Sequence, residues 1–317
     1  MPDVETTEGP IDADQLGRTL IHEHLMTASE AIRYHFPHLY DFDAERERSL
    51  GALRAVKGHG VDTFVDPGCM DLARDAALSK ELAAEAGIQM VLCTGVYGQH
   101  YTFLPHHFQS RDEDYLADAF VHDIEADDGI QGTGVKATFI KCAADEPGIT
   151  DDVEKVHRAA ARASNRTGRP LMAHSRPASK TGLDQMRIFT DEGVTPGKVQ
   201  IAHTGDTDDL DHIEELLQTG CWIGLDRFGI DLFLPDDRRM PTFIELVSRG
   251  YTDRILLGCD AVANLDWFPP EVVAQLAPRW THTHLFDEIL PAAREAGVRD
   301  EQIRVMLEDN PKAWLTA

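Results

Sequence analysis

The stretch VQIAHTGDTDDLDHIEELLQTGCWIGLDRFG, residues 199–229, holds two short apolar runs with a helical pattern between them. Each apolar run is closed by Gly, Asp or Thr, as is typical of a buried parallel strand. The segment between them begins with Thr and Asp and ends with Gly, the residues that commonly start and stop a helix. The stretch therefore predicts one strand–helix–strand unit.

The same alternation continues along the chain from about Leu16. Eight runs are predicted as strands: TLIHEHL (19–25), VDTFVDPG (61–68), QMVLCTGVY (89–97), ATFIKCAAD (137–145), LMAHS (171–175), VQIAHTGD (199–206), CWIGLDRFG (221–229) and ILLGCDA (255–261). Eight strand–helix units in 317 residues favour an α/β fold, the (β/α)8 TIM barrel. A doubly wound open sheet is the alternative, but no glycine-rich phosphate turn follows the first run. We expect an N-terminal segment, residues 1–15, and one barrel domain, residues 16–317.

Composition narrows the classes of partner. The formal net charge is −25, which disfavours binding to nucleic acid or to an anionic membrane. The acidic surface is interpreted either as a solubilising one or, because only eight lysines occur, as an adaptation to high salt. The first ten residues lack the basic and apolar regions of a signal peptide, which predicts a cytoplasmic protein. Five scattered cysteines predict reduced core thiols rather than disulfides.

Metal-ligand residue types recur where predicted strands end. His22 and His24 are two residues apart, so in a strand they share one face and could hold one metal ion. His174, His203 and Asp260 lie near the ends of three later runs, and in a barrel these ends converge at one mouth. Hydrogen-bonded core histidines are the alternative for each residue alone. The whole set favours a metal centre.

Lys141 is the other unusual residue, because strand alternation directs it into the barrel among apolar neighbours. Burial disfavours an ammonium group and lowers its pKa. A neutral amine can capture carbon dioxide and become a carbamate, an anionic group able to bridge two metals. A lysine paired with a carboxylate such as Asp66 is an equally open interpretation.

Eight segments carry a family resemblance: GRTLIHEHL, FIKCAADEPGIT, MAHS, TGLDQMRIFTDEGV, IAHTGDTDD, GLDRFGIDLF, LAPRW and NPKAWL. From Leu16 onward the chain resembles the phosphotriesterase-like members of the amidohydrolase superfamily, most closely the phosphotriesterase-like lactonases. The resemblance implies a binuclear metal centre at the carboxyl-terminal face of the barrel. It assigns the buried metal to His22, His24 and Asp260, the more exposed metal to His174 and His203, and the bridge to a carboxylated Lys141 with a hydroxide. Zinc is expected, and cobalt, manganese or iron would suit the same ligands.

The resemblance also implies a reaction. The hydroxide would attack a polarised carbonyl or phosphoryl group, and Asp260 would pass the proton to the leaving alkoxide. Tyr97 would orient the substrate or donate to the developing oxyanion, and Arg227 would position loops or pair with Asp226. Four apolar residues are expected either to line an acyl-chain channel or simply to pack: Leu232, Phe233, Trp267 and Phe268.

The leading interpretation is a lactonase for neutral lactones, either N-acyl-homoserine lactones or other γ- and δ-lactones, with organophosphate triester hydrolysis as a side activity. A sugar or sugar-phosphate lactonase is the alternative, in which Arg176, Lys180 and Arg227 bind the substrate. A primary aryldialkylphosphatase and a metal-binding barrel without turnover are two further alternatives. The family implies a homodimer.

Overall fold

The computed structural model describes residues 3–98 and 104–317. Its strands are β1 (Asp3–Thr6), β2 (Gly9–Asp12), β3 (Thr19–Leu20), β4 (His24–Thr27), β5 (Thr63–Asp66), β6 (Gln89–Gly95), β7 (Phe139–Ala143), β8 (Leu171–His174), β9 (Val199–Ala202), β10 (Trp222–Leu225), β11 (Ile255–Leu257) and β12 (Val262–Leu265). Eight of them form one sheet in the order β11-β10-β9-β8-β7-β6-β5-β3, with parallel pairing throughout. Ile21 N donates to Leu257 O at 3.4 Å, which joins the two edge strands and confirms the predicted TIM barrel.

Helices follow most of the barrel strands. They are α1 (Glu30–His35), α2 (Phe42–Gly58), α3 (Ala76–Ala86), α4 (His106–Gln109), α5 (Glu113–Glu125), α6 (Asp151–Thr167), α7 (Thr181–Asp191), α8 (Leu210–Gln218), α9 (Asp236–Ser248), α10 (Pro270–Leu276), α11 (Leu290–Glu295), α12 (Asp300–Arg304) and α13 (Asn310–Leu315). Residue types that commonly start and stop helices form caps in the structure. Thr150 accepts a hydrogen bond from Val153 N at the start of α6, and Gly168 ends that helix in the left-handed conformation at φ 77°.

The predicted first strand differs from the observed one. The run TLIHEHL forms two strands, β3 and β4, and residues 21–23 lie between them. The chain leaves the barrel sheet here because β4 pairs with β12, a strand that was not predicted, through the register pair His24 and Val262. This local pairing lies beside the end of β11, so it brings the two ends of the barrel sheet together.

The amino ends of the barrel strands are covered by the chain termini. The β1–β2 hairpin contributes Val4 to the apolar cluster inside the barrel, and Thr138 Oγ1 donates to Glu5 O at 2.6 Å. From α13, Trp314 packs against Phe139 with ring centroids 5.3 Å apart. With this end closed, the carboxyl ends of the strands form the accessible mouth.

The structure also bears on the cysteines and on the length of the helices. All five cysteines are free and buried, which confirms the predicted core thiols. Among the residues that the structure describes, no helix has the length and apolar character needed to cross a bilayer.

Candidate metal centre

The structure brings the six predicted ligands together at the mouth of the barrel, and all six are buried: His22, His24, Lys141, His174, His203 and Asp260. Asp260 lies in the middle. Its Oδ1 is 3.3 Å from His22 Nε2 and 3.2 Å from His24 Nε2, and its Oδ2 is 3.9 Å from His203 Nε2. One ligand atom from each of His22, His203 and Asp260 lies within 4.8 Å of the other two, a spacing that suits a shared metal ion.

Lys141 and His174 complete the group. Lys141 Nζ is 3.2 Å from His22 Nε2 and 3.3 Å from Met172 Sδ. The ring of His174 lies edge-on to that of His203, with centroids 4.4 Å apart. Lys141 thus lies on the His22 side of the cluster and His174 on the His203 side.

Asp226 is a residue whose role the sequence did not reveal. It is fully buried, with 0% exposure, at the end of β10. Its Oδ2 is 2.8 Å from His22 Nδ1, while its Oδ1 is 3.0 Å from His203 Nδ1 and accepts from His203 N at 2.8 Å. One carboxylate therefore orients two histidines and leaves both Nε2 atoms directed at Asp260, as in other carboxylate–histidine–metal arrangements.

Asp66 orients the ring of His24 in the same way. Its Oδ1 is 3.2 Å from His24 Nδ1, and its two oxygens also accept from Leu25 N and Gly68 N. The interpretation in which Asp66 pairs with Lys141 is wrong, because this carboxylate is used by His24 and by backbone N–H groups. Asp66 is the last residue of β5, and Asp226 directly follows Leu225, the last residue of β10; this position at a strand end is the sequence signal that could have pointed to them.

Burial and hydrogen bonds together determine the protonation of the cluster. Burial, together with the nearby Lys141, lowers the pKa of His22 to about 4. Burial likewise lowers the pKa of Lys141 below its ordinary value. Burial also disfavours the charged form of His24, but hydrogen bonds with Asp260 and Asp66 outweigh it and raise the pKa of His24 to about 9. Neutral His22 is ready to bind a metal, whereas His24 would release a proton on binding.

Two of the ligands occupy an unusual backbone conformation. His203 has φ 63° and Asp260 has φ 49°, in the left-handed region that non-glycine residues rarely adopt. Each follows the end of a barrel strand, β9 and β11 respectively. Such positions cost about 1–3 kcal/mol and persist where surrounding contacts impose them, commonly at functional sites.

The donor set fits a divalent metal. Three histidines, His22, His24 and His203, have Nδ1 engaged by a carboxylate, so Nε2 is the atom that each presents to a metal, in the case of His24 after it releases a proton. His174 Nε2 is buried without a hydrogen-bond partner among the described residues, and Asp145 Oδ2 at 3.5 Å is too far for a good one. A buried imidazole nitrogen left in this state is a suitable metal ligand.

Arg227 lies against Asp260. Its Nε donates to Asp260 Oδ2 at 2.8 Å and its Nη1 donates to Asp206 Oδ2 at 2.9 Å. The suggested pairing of Arg227 with Asp226 is wrong, since Asp226 is occupied by histidines. The ring of Phe233 lies 4.4 Å from the guanidinium carbon of Arg227, so this part of the mouth is capped by an aromatic side chain.

The other predicted substrate contacts divide into two groups. Tyr97 lies edge-on to the ligand His174, with ring centroids 5.2 Å apart, and Trp267 lies behind it, 6.4 Å from the Tyr97 ring. In contrast, Leu232 is 61% exposed and Phe268 is 55% exposed. These two side chains lie on the surface and do not form a closed channel.

The position of Asp226 leads to a first prediction. The Asp226→Asn variant should bind zinc about 10–100-fold more weakly, the loss typical of removing a partner of metal ligands. An amide directs its NH2 group at one of the two Nδ1 atoms. That ring must then carry its proton on Nε2, where the metal should bind. Zinc affinity is measured by competition with a chelator.

Asp123→Asn is the matched control for this prediction, because Asp123 pairs with Arg74 and Thr94 outside the cluster. Equal affinities in the two variants would contradict the prediction.

Comparisons with known proteins agree with this geometry. Residues 2–315 match the model of the phosphotriesterase family. The chain is 45% identical over 308 residues to an aryldialkylphosphatase of Saccharolobus solfataricus, covering 96% of this chain and 97% of that protein. It is 38% identical over 320 residues to a phosphotriesterase homology protein of Mycobacterium tuberculosis, covering 98% and 97%. The solved structure of the phosphotriesterase from Mycobacterium tuberculosis superposes with a TM-score of 0.94 at 38% identity, covering 99% of this chain and 98% of that one. The chain therefore belongs to the phosphotriesterase family of metal-dependent hydrolases.

Proposed function

We propose that this hydrolase is a binuclear metal-dependent lactonase that opens neutral lactones, N-acyl-homoserine lactones or other γ- and δ-lactones, to hydroxy acids. Organophosphate triester hydrolysis is proposed as a weaker side activity. The name of the Saccharolobus solfataricus relative makes a primary aryldialkylphosphatase the competing assignment.

A neutral substrate is supported by the two arginines at the mouth, because both are already paired with carboxylates. Arg227 is held by Asp260 and Asp206. Arg176 is held by Asp145 and Glu146, both at 3.0 Å. Neither guanidinium is free to bind a phosphate, which leaves the exposed Lys180 as the only one of the three cations named for the sugar-phosphate alternative that could do so. The remaining surface around the ligands is aromatic, from Tyr97, Trp267 and Phe233, and suits an uncharged substrate with apolar parts.

The residues that would hold the metals are the six buried ligands, in the two groups expected from the resemblance. Two divalent ions, when bound, would supply an activated water and polarise the substrate oxygen. We propose zinc for these positions. Lys141 is proposed to be carboxylated: its neutral amine adds to carbon dioxide, a C–N bond forms, and one proton leaves to solvent. Its burial and its lowered pKa support this step.

Asp260 is proposed to carry the proton of the reaction. Arg227 and His203 lie on the Oδ2 side of the carboxylate, and Oδ1 faces His22 and His24. A carboxylate fixed in this way can accept a proton and return it to the alkoxide that leaves when the ring opens. Tyr97, beside His174, is placed to orient the lactone ring or to donate to its oxygen. Burial raises the pKa of Tyr97, so its hydroxyl stays protonated.

A substrate panel tests the proposal. The metal-loaded enzyme is assayed with a long-chain acyl-homoserine lactone, an unsubstituted δ-lactone, a sugar lactone and an aryl dialkyl phosphate. We expect kcat/KM for the best neutral lactone to exceed that for the triester at least about tenfold, a transition-state difference of about 1.4 kcal/mol. The reverse order would support the aryldialkylphosphatase assignment, and a preferred sugar lactone would support the alternative.

We also propose a homodimer in the cytoplasm. Five large apolar side chains lie close together in sequence and are at least 44% exposed: Ile32, Tyr34, Phe36, Leu39 and Phe42. Apolar surface of this kind is typical of contacts between proteins and supports pairing with a second copy. The five free cysteines support a reducing compartment.

A further inference from the structure

Glu23 is a buried carboxylate in an unexpected place. It lies between His22 and His24 in sequence, and its side chain is 0% exposed. Its Oε1 accepts a hydrogen bond from Cys259 N at 2.6 Å, and its Oε2 accepts from Ala261 N at 3.0 Å. These two N–H groups flank Asp260 on either side. One glutamate carboxylate from the first strand region therefore holds both neighbours of a ligand from the last.

The backbone of the same tripeptide completes the contact. Asp260 N donates to His22 O at 3.0 Å, and His24 N donates to Ala261 O at 2.8 Å. All three N–H groups of residues 259–261 are thus bound by residues 22–24. Residues 22–24, which include the ligands His22 and His24, are therefore hydrogen-bonded along their length to residues 259–261, which include the ligand Asp260.

Ordinary strand pairing cannot provide these contacts, because β11 ends at Leu257 and Asp260 has φ 49°. A backbone that turns in this way directs successive N–H groups away from a regular ladder of carbonyl acceptors. The two chains also approach closely here. A Cβ added at Gly258 would lie 3.0 Å from His22 O and 3.4 Å from Glu23 Oε1. The carboxylate of Glu23 supplies acceptors for N–H groups that would otherwise be buried without partners.

We propose that Glu23 is a positioning residue of the metal centre. By fixing Cys259 and Ala261 it imposes the turn at Asp260 and sets this carboxylate at its distances from His22 and His24. Metal affinity then depends on Glu23 although Glu23 is not a ligand. This inference rests on the proposed metal centre and is independent of the proposed substrate.

The test uses the full-length Glu23→Gln variant. The amide keeps the shape of the side chain but offers only one acceptor oxygen, so either Cys259 N or Ala261 N faces an NH2 group. We expect zinc to bind about 10–100-fold more weakly, as measured by chelator competition. At saturating zinc, kcat should fall while KM stays unchanged, since Glu23 has no exposed surface toward substrate. Glu23→Ala should lower both zinc affinity and kcat more than Glu23→Gln does.

Hydrogen exchange gives a readout that needs neither metal nor substrate. In chelator-treated protein, backbone amides of residues 255–265 should exchange faster in Glu23→Gln than in the wild type. Glu45→Gln is the matched control, because Glu45 is a buried glutamate that pairs with Arg33 away from the ligands. It should leave zinc affinity and exchange of residues 255–261 unchanged; residues 262–265 are left out of this comparison because Asn264 Nδ2 donates to Glu45 O at 3.1 Å.

The outcomes separate this inference from the proposed function. Wild-type protein that binds no metal would refute the metal centre and with it the positioning role, whereas normal metal binding with a different substrate preference would refute only the proposed substrate. If Glu23→Gln matches the Glu45→Gln control in both exchange and zinc affinity, the positioning role is refuted. If Glu23→Ala does not fold, the comparison of Glu23→Gln with the control decides alone.

Discussion

Replacing Lys141 with alanine is expected to lower kcat/KM for the best substrate at least about a hundredfold, the upper loss seen when only an outer partner of a metal ligand is removed. The physical reason is the surroundings of this side chain. Its Nζ lies 3.2 Å from His22 Nε2, inside the ligand cluster, and the residue is 1% exposed. Without a bridging anion, the variant should also retain less than the wild-type metal content.

A second measurement separates carbamate formation from other roles of this lysine. Wild-type protein equilibrated with carbon-13 bicarbonate should show one carbamate carbon signal, which disappears on acidification. Lys141→Ala should lack the signal, and Lys80→Ala, an exposed lysine, should keep the signal and full activity. A Lys141→Ala variant with normal metal content and rate would show that the bridging carbamate is wrong.

The sequence predicted the barrel because each buried parallel strand is a short apolar run closed by Gly, Asp, Ser or Thr. All eight runs contain observed strands. It did not predict the break at residues 21–23 or the pairing of β4 with β12. That pairing depends on where residues 259–261 turn, and this turn is set by contacts more than 230 residues away in sequence, such as Glu23 to Cys259. Local patterning carries no signal for such a contact.

The ligands could be predicted more fully than the residues that hold them. Histidines are few, 15 in the chain, and their placement at strand ends is conspicuous. Carboxylates number 55, so a position at a strand end is too weak a signal to single out Asp226 or Asp66 among them. Glu23 is another such carboxylate: strand alternation places it on the face opposite His22 and His24, and only its bonds to Cys259 N and Ala261 N make it part of the site's support.

The Asp260→Asn substitution is expected to lower kcat about a thousandfold, within the range for loss of a general acid–base group, with little change in KM. Asparagine keeps the shape and can still accept from Arg227 Nε, so the loops at the mouth should stay in place. It cannot hold a negative charge or take up the proton. The loss should therefore appear in kcat, measured at saturating metal under steady-state conditions.

The matched comparison is Asp206→Asn, because Asp206 bonds the other end of the same guanidinium, at Arg227 Nη1. If Asp260 acts only by holding Arg227, both substitutions should cost about the same. If Asp260 carries the proton, Asp206→Asn should cost about tenfold or less, or 1.4 kcal/mol of transition-state free energy, while Asp260→Asn costs far more. Arginine cannot pass the proton on in its place, because its pKa keeps it charged at every working pH. Equal losses would thus remove Asp260 from the proton path and leave it as a ligand and an anchor for Arg227.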